Sequence, residues 1–215
     1  MIAVIVPVKD FGTAKSRLSD VLSPEERAGL ARAMLADVLA AVEGSSRINA
    51  LYLVGHDAAL IDIAAGRAGI IPETANRGYN EAIATACELL TVQSADALLA
   101  LPSDLPLATS AEIDQLAAAF AAPIVRIAQA RDQDGTNGLL IAPPDAIRTG
   151  FGPYSAARHG ELARAAGCMV ETLSPPGLAF DIDTPQDLLE FCRIDAGTRA
   201  HSFLDQSGIR RRLLG

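Results

Sequence analysis

The chain of 215 residues is half apolar and only 4% aromatic, with a mean hydropathy of +0.25, which suits one globular domain, with or without a modest appendage, and excludes a disordered chain. Its net charge of −8 and isoelectric point of about 4.8 argue against nucleic acid or anionic membrane as a partner, because both require a basic surface. No apolar run approaches the roughly 18 residues of a membrane helix, and Cys87, Cys168 and Cys192, far apart and without a CxxC, speak against a disulfide framework or zinc site and fit a reducing cytoplasm.

Met1–Val8 is a short, β-branched apolar run without a basic flank, so it reads as a first strand buried on both faces rather than a signal peptide. Ser23-Pro24-Glu25-Glu26 has the form of a capping box with proline at the first helical position. Behind it Leu30, Met34, Leu35, Val38 and Val42 recur at helical spacing, predicting a helix to about Glu43. A second strand is expected at Ala50–Val54, a short helix after Asp57 and a brief strand at Gly69–Ile71. A helix at Asn80–Val92, a buried strand at Ala97–Leu101 and a helix at Ser110–Phe120 follow. Strands at Ile124–Ala130 and Asn137–Ala142, a helix at Ser155–Ala166, a strand at Met169–Leu173 and a helix begun by Thr184-Pro185 complete the pattern.

This alternation predicts an α/β fold, a mainly parallel sheet covered by helices, with ligands bound beyond the carboxyl ends of the strands. Residues 1–195 form the expected domain. The tail, 196–215, ends in Arg210-Arg211-Arg212 and is left either to pack on the domain or to meet a second subunit in a homodimer.

Three segments after expected strands carry residues that a core does not need. The first is Val6-Pro7-Val8-Lys9-Asp10-Phe11-Gly12-Thr13-Ala14-Lys15-Ser16-Arg17-Leu18, which holds both lysines of the chain and an arginine. Such a loop can wrap a triphosphate, although two lysines can also fall together by chance. It contains neither GxxxxGK[ST] nor GxGxxG, so it is no P-loop and no dinucleotide fingerprint. The second is Leu101-Pro102-Ser103-Asp104-Leu105-Pro106-Leu107, where a lone carboxylate after an apolar strand is costly unless it binds something or caps a turn.

The third is Phe180-Asp181-Ile182-Asp183-Thr184-Pro185. Two carboxylates at i, i+2 in extended chain point the same way and suit a hard cation. Asp183 or Thr184 is equally able to cap the next helix. Gly152 in Phe151-Gly152-Pro153-Tyr154-Ser155 lets backbone approach a ligand closely, and Ser155 stands where it would cap a helix whose N-terminus attracts anions. The spacing alone favours an ordinary turn and cap there. His56, His159 and His201 match no catalytic triad, which fits a transfer in which a dianionic phosphate attacks without a base.

Taken in order, VPVKDFGTAKSRLS, LSPEER, RGYNEAI, LPSDLPL, DGTNGLL, FGPYSAARHG and FDIDTPQDL resemble the CofC/FbiD guanylyltransferases of coenzyme F420 biosynthesis, across residues 2 to about 190. The resemblance implies a Rossmann-like nucleotidyltransferase (GT-A type) fold and transfer of GMP from GTP to a three-carbon phosphorylated acid. The acid would be 2-phospho-L-lactate, phosphoenolpyruvate or 3-phospho-D-glycerate, with diphosphate released. It implies that Lys15 and Arg17 hold phosphates, that Lys15 and Asp104 act in catalysis, and that Asn80 lies by the nucleoside. Asp104, Asp181 and Asp183 would ligate Mg²⁺, and Thr136, Gly152 and Ser155 would bind the acid. VPVKDFG departs from the GG that sugar-type nucleotidyltransferases carry after strand one, which favours this branch over molybdopterin or sugar-nucleotide enzymes, while a cytidylyl- or molybdopterin-type transferase stays as the same-fold alternative. A non-catalytic nucleotide-sensing subunit is the alternative from another class.

Overall fold

The computed structural model describes residues 1–73 and 78–215. Its strands are β1 (Ile2–Pro7), β2 (Ala50–Gly55), β3 (Gly69–Pro72), β4 (Ala97–Ala100), β5 (Ile124–Gln129), β6 (Thr136–Ala142) and β7 (Met169–Leu173). They form one sheet in the order β3-β2-β1-β4-β6-β5-β7. The pairs β1–β2, β1–β4, β2–β3 and β5–β7 are parallel, whereas β6 runs antiparallel to both neighbours. The sheet is thus mainly parallel but mixed. The reversed strand has a consequence for function: Thr136 and Asn137, at its start, lie at the edge where β1 and β4 end.

Alternate side chains of the central strands feed two cores. Val4, Val6, Leu53, Leu99 and Leu140 face α1 (Pro24–Glu43), α2 (Ala59–Ala64) and α4 (Ser110–Leu116). Ala3, Ile5, Val54, Leu98 and Ile141 face α3 (Tyr79–Val92) and α5 (Ser155–Ala165) on the other side. The capping box at Ser23 forms as expected, with Glu26 closing it. Helix α4 ends four residues before the expected Phe120. The buried guanidinium of Arg126 donates to the carbonyls of Leu116 (3.2 Å), Ala118 (2.5 Å) and Ala119 (3.1 Å), so the chain unwinds to present them.

The tail does not trail. After α6 (Pro185–Arg193) it forms α7 (Arg199–Gln206) and α8 (Ile209–Leu214). Leu204 and Ile209 join Leu30 and Met34 of α1, Leu188 and Phe191 of α6, and Leu18 in a third buried cluster. Each such side chain contributes about 1.5–3 kcal/mol by burial, which holds helices too short to persist alone. Asp37 on α1 caps α7 by accepting from Arg199 N (2.8 Å) and Ala200 N (2.9 Å), and Arg212 of α8 grips the Glu26 carboxylate at 2.8 and 2.9 Å. The tail therefore braces the start of α1 and the loop that leads into it.

Candidate active site

A cavity of about 570 Å³ opens at the carboxyl ends of β1 and β4, walled by the loop from Val8 to Arg17, by Pro102–Asp104, by Asn137, by Phe151–Gly152 and by Asp181 and Asp183. Two backbone devices build it. Ile182 N donates to the carbonyl of Asp104 (3.3 Å), tying the last acidic segment to the β4 loop. Ile182 itself is wholly buried in the third core, so Asp181 and Asp183 on either side of it face the cavity, as extended chain requires. Thr184, not Asp183, caps α6: its hydroxyl accepts from Asp187 N while Asp187 Oδ2 accepts from Thr184 N (2.8 Å). That division of labour leaves the Asp183 side chain to the cavity. Asp104 caps nothing either, since Thr109 caps α4.

Lys15 sits at the centre of the charge. Its backbone is left-handed (φ 52°, ψ 41°), and its ammonium donates to Asp104 Oδ2 at 2.5 Å and Asp183 Oδ1 at 2.9 Å. Burial alone would lower its pKa; Asp104 and Asp183 outweigh that and raise it above the ordinary lysine value, so it is a fixed cation. Burial likewise works to raise the Asp183 carboxyl, but Lys15, with Arg17 and Lys9, holds it below its usual range. Arg17 is exposed and reaches Asp183 Oδ2 only at 3.6 Å, leaving it able to turn toward a ligand. Asp181 accepts from Asn137 Nδ2 at 3.0 Å, and burial, aided by Asp104 and Asp183, pushes its carboxyl up.

The three expected metal ligands are thus brought to one cavity but not drawn around one point. Among the described residues no three carboxylate, histidine or cysteine side chains stand close enough to hold a metal as placed. The reason is visible: Lys15 bridges Asp104 and Asp183, and Asp181 is turned to Asn137. The donor set still fits a hard divalent cation. Three carboxylates share the cavity, and Oδ1 of Asp104 is buried without a hydrogen-bond partner.

The expected acid-binding residues divide. Gly152 lines the cavity with φ +130°, a backbone conformation closed to most side chains. Thr136 and Ser155 are buried behind it, their hydroxyls bonded to each other at 3.1 Å. Ser155 is not the cap of α5: Tyr154 takes that position in a left-handed conformation (φ 58°), so Ser155 becomes the first helical residue and turns inward. Behind the pair stands His159, wholly buried. Gly150 N donates to its Nε2 (3.0 Å), which puts the ring proton on Nδ1, 3.0 Å from Thr136 Oγ1. Burial, then the neighbouring Arg158, lowers its pKa to about 4 and keeps the ring neutral.

Asn80, expected by the nucleoside, is not among the residues that line the cavity. Its amide grips the backbone of Phe151, accepting from N at 2.8 Å and donating to O at 3.1 Å, outside the cavity wall. Arg77 of the same motif lies outside the described residues. Several contributors escaped the sequence reading. His159 is four residues beyond Ser155, a spacing that puts both on one helix face. Asn137 carries Asp181, and Arg131 braces the acidic segment, its guanidinium 4.0 Å over the Phe180 ring and paired with Asp187 and Glu190.

The family model described as guanylyl transferase CofC-like matches residues 2–212. The chain belongs to that family. A phosphoenolpyruvate guanylyltransferase from Sphaerobacter thermophilus is 40% identical over 86% of this chain and 90% of its own. A 2-phospho-L-lactate guanylyltransferase from Methanothermobacter thermautotrophicus is 33% identical over 93% of this chain and 88% of its own. Among solved structures, a Desulfovibrio desulfuricans protein assigned to the nucleotide-diphospho-sugar transferases superposes with a TM-score of 0.78 over 99% of this chain and 97% of its own, at 19% identity. That likeness bears on the fold alone. The CofC-like chain is thus a guanylyltransferase-family protein with a nucleotide-diphospho-sugar transferase fold. No helix among its described residues is long and apolar enough to cross a membrane.

Proposed function

We propose that this chain transfers GMP from GTP to a three-carbon phosphorylated acid in coenzyme F420 biosynthesis, in the cytoplasm and with Mg²⁺. The observation that carries the reading is the cation of Lys15 between Asp104 and Asp183 at the sheet edge, in a chain of this family. The acid's phosphate, largely dianionic near neutral pH, attacks the α-phosphorus of GTP. A new P–O bond forms, the bond to the bridging oxygen breaks, and its electron pair leaves with diphosphate.

Lys15 and Arg17 offer positive charge to the departing diphosphate, where charge grows in the transition state. Asp104, Asp181 and Asp183 would hold the metal, which when bound supplies charge neutralisation and Lewis acidity to the phosphates. The backbone at Gly152, supported from behind by Thr136, Ser155 and His159, receives the acid. Phosphoenolpyruvate is the first acid to try, because the relatives at 40% and 38% identity are phosphoenolpyruvate guanylyltransferases.

The test is incubation with GTP, Mg²⁺ and each of the three acids in turn, with products read by mass spectrometry and CTP as control. A GMP adduct of one acid together with diphosphate is expected. No adduct with any acid, or equal use of CTP, would overturn the reading.

A further inference from the structure

Two side-chain polar atoms are buried without a hydrogen-bond partner among the described residues, and both belong to residues of the cavity wall: Oδ1 of Asp104 and the hydroxyl of Tyr79. Asp104 already has a role in the proposed chemistry. Tyr79 has none, and a phenylalanine would fill the same space without burying a polar group. Leaving a buried hydroxyl unmatched costs stability, so its presence needs a reason.

The position of the ring supplies one. Tyr79 is the first residue of α3, and its ring meets Phe151 edge-on, with centroids 4.7 Å apart at 69°. Asn80, next in the chain, clamps the Phe151 backbone with both ends of its amide. Tyr79 is therefore fixed to the segment that leads into Gly152. Its other flank borders Pro7, Val8 and Lys9, where β1 hands over to the lysine-bearing loop. Tyr79 thus borders both segments that the proposed reaction assigns to acid and nucleotide, and its hydroxyl is the buried atom among them without a partner. Burial, and after it the negative charge of Asp104, keep the phenol protonated at neutral pH, so it carries a proton to donate and has no acceptor for it among the described residues.

We infer that Tyr79 is a substrate-binding residue whose hydroxyl donates a hydrogen bond to an anionic oxygen of a bound substrate, where the acid-side and nucleotide-side walls meet. The inference rests on the guanylyl-transfer reading. Its chemistry is that of phosphate or carboxylate oxygen, which the acid and GTP share, and the two arms of the test separate them.

The variant is Tyr79→Phe, which keeps the ring against Phe151 and removes only the hydroxyl. Thermal unfolding is measured for wild type and variant, free and with GTP–Mg²⁺ or each acid, alongside steady-state diphosphate release with each substrate varied. The expected result has opposite signs in the two assays. The free variant melts at or above the wild-type temperature, while KM for one substrate rises about ten- to a hundredfold and that ligand's thermal shift shrinks. Loss confined to the acid puts the bond on the acid; loss confined to GTP puts it on the nucleotide. A variant that melts lower when free, or that retains both KM values and both thermal shifts, overturns the inference. Wild-type protein that neither binds nor uses GTP would instead sink the guanylyl-transfer reading, and the comparison of the free proteins would still judge the hydroxyl.

Discussion

The ammonium of Lys15 lies 2.9 Å from Oδ1 of Asp183, a residue 168 positions further along the chain. The same nitrogen also bonds Asp104, so three loops from distant parts of the sequence are held by one cation. Lys9, in contrast, is exposed. Lys15→Ala is expected to lower kcat/KM for GTP about a hundredfold or more, since it removes a charge aimed at the phosphates, and Lys9→Ala to cost much less. Steady-state kinetics with GTP varied decides it. Equal, mild losses from both would make the lysine cluster incidental.

Asp104 has one oxygen on Lys15 and the other without a partner. Asp104→Asn keeps the shape and removes the charge. Turnover is expected to fall about 10³-fold, the cost of losing several kcal/mol of transition-state stabilisation when the proposed metal ligand goes. The loss should persist in excess Mg²⁺, and far-UV circular dichroism should show an intact fold. Near-normal turnover of the folded variant would remove Asp104 from the chemistry.

His159 gives the protein an acid limb to its stability. In the folded chain its pKa is lowered to about 4, while in the unfolded chain it is near the ordinary 6.5. Between those values the unfolded state binds the proton and the native state does not, so stability falls as pH drops from 6.5 toward 4. The single-site loss amounts to about 3 kcal/mol over that window. Urea unfolding at a series of pH values measures it. His159→Gln, which cannot titrate, is expected to flatten that part of the profile; an unchanged slope would assign the acid limb elsewhere.

Much of the fold was legible because its signals are local. The β-branched runs, the capping box at Ser23, the helix start at Thr184-Pro185 and the i, i+2 carboxylates around Ile182 each carry their own physics, and the structure has them where that physics puts them. Tertiary effects were not legible. Helix α4 stops early where Arg126, from the next strand, captures the carbonyl of its last residue and those of Ala118 and Ala119 beyond it. Ser155 looked like a cap until Tyr154 adopted a left-handed backbone that few aromatic residues accept. Helices α7 and α8 are too short to announce themselves and exist through Asp37 and the third core. Convergence of Lys15 with Asp104 and Asp183 needs the whole strand order, which no single motif encodes.

Gly29 on α1 and Phe203 on α7 make a tight fit that can be tested by a reversal of sign. A methyl group at Gly29 would overlap the Phe203 ring. Gly29→Ala alone should therefore lower stability by about 1–3 kcal/mol through overpacking. With Phe203→Ala already in place the clash is gone, and the same substitution should stabilise by up to about 1 kcal/mol through helix propensity. Chemical denaturation of the four proteins of this cycle measures the coupling, and additive effects would mean that α7 does not press on α1 as described.

The back wall of the proposed acid site should respond differently at Gly152 and Ser155. At Gly152 an added Cβ meets no atom within 4 Å, so space does not forbid alanine. The backbone does: φ +130° is strained for any L side chain, at a cost of about 1–3 kcal/mol. Gly152→Ala must shift this turn and the N–H groups it offers the acid. Ser155 is one step removed, since its hydroxyl is bonded to Thr136 inside the wall. Its loss leaves the turn in place and disturbs only the packing behind it. Gly152→Ala is thus expected to raise the acid's KM about a hundredfold and Ser155→Ala about tenfold, both with the GTP constant nearly unchanged. Diphosphate release with each substrate varied in turn supplies both constants for each variant. A larger effect from Ser155→Ala would mean that its hydroxyl leaves Thr136 to meet the acid directly, and a shift in the GTP constant would reverse the assignment of the two halves of the cavity.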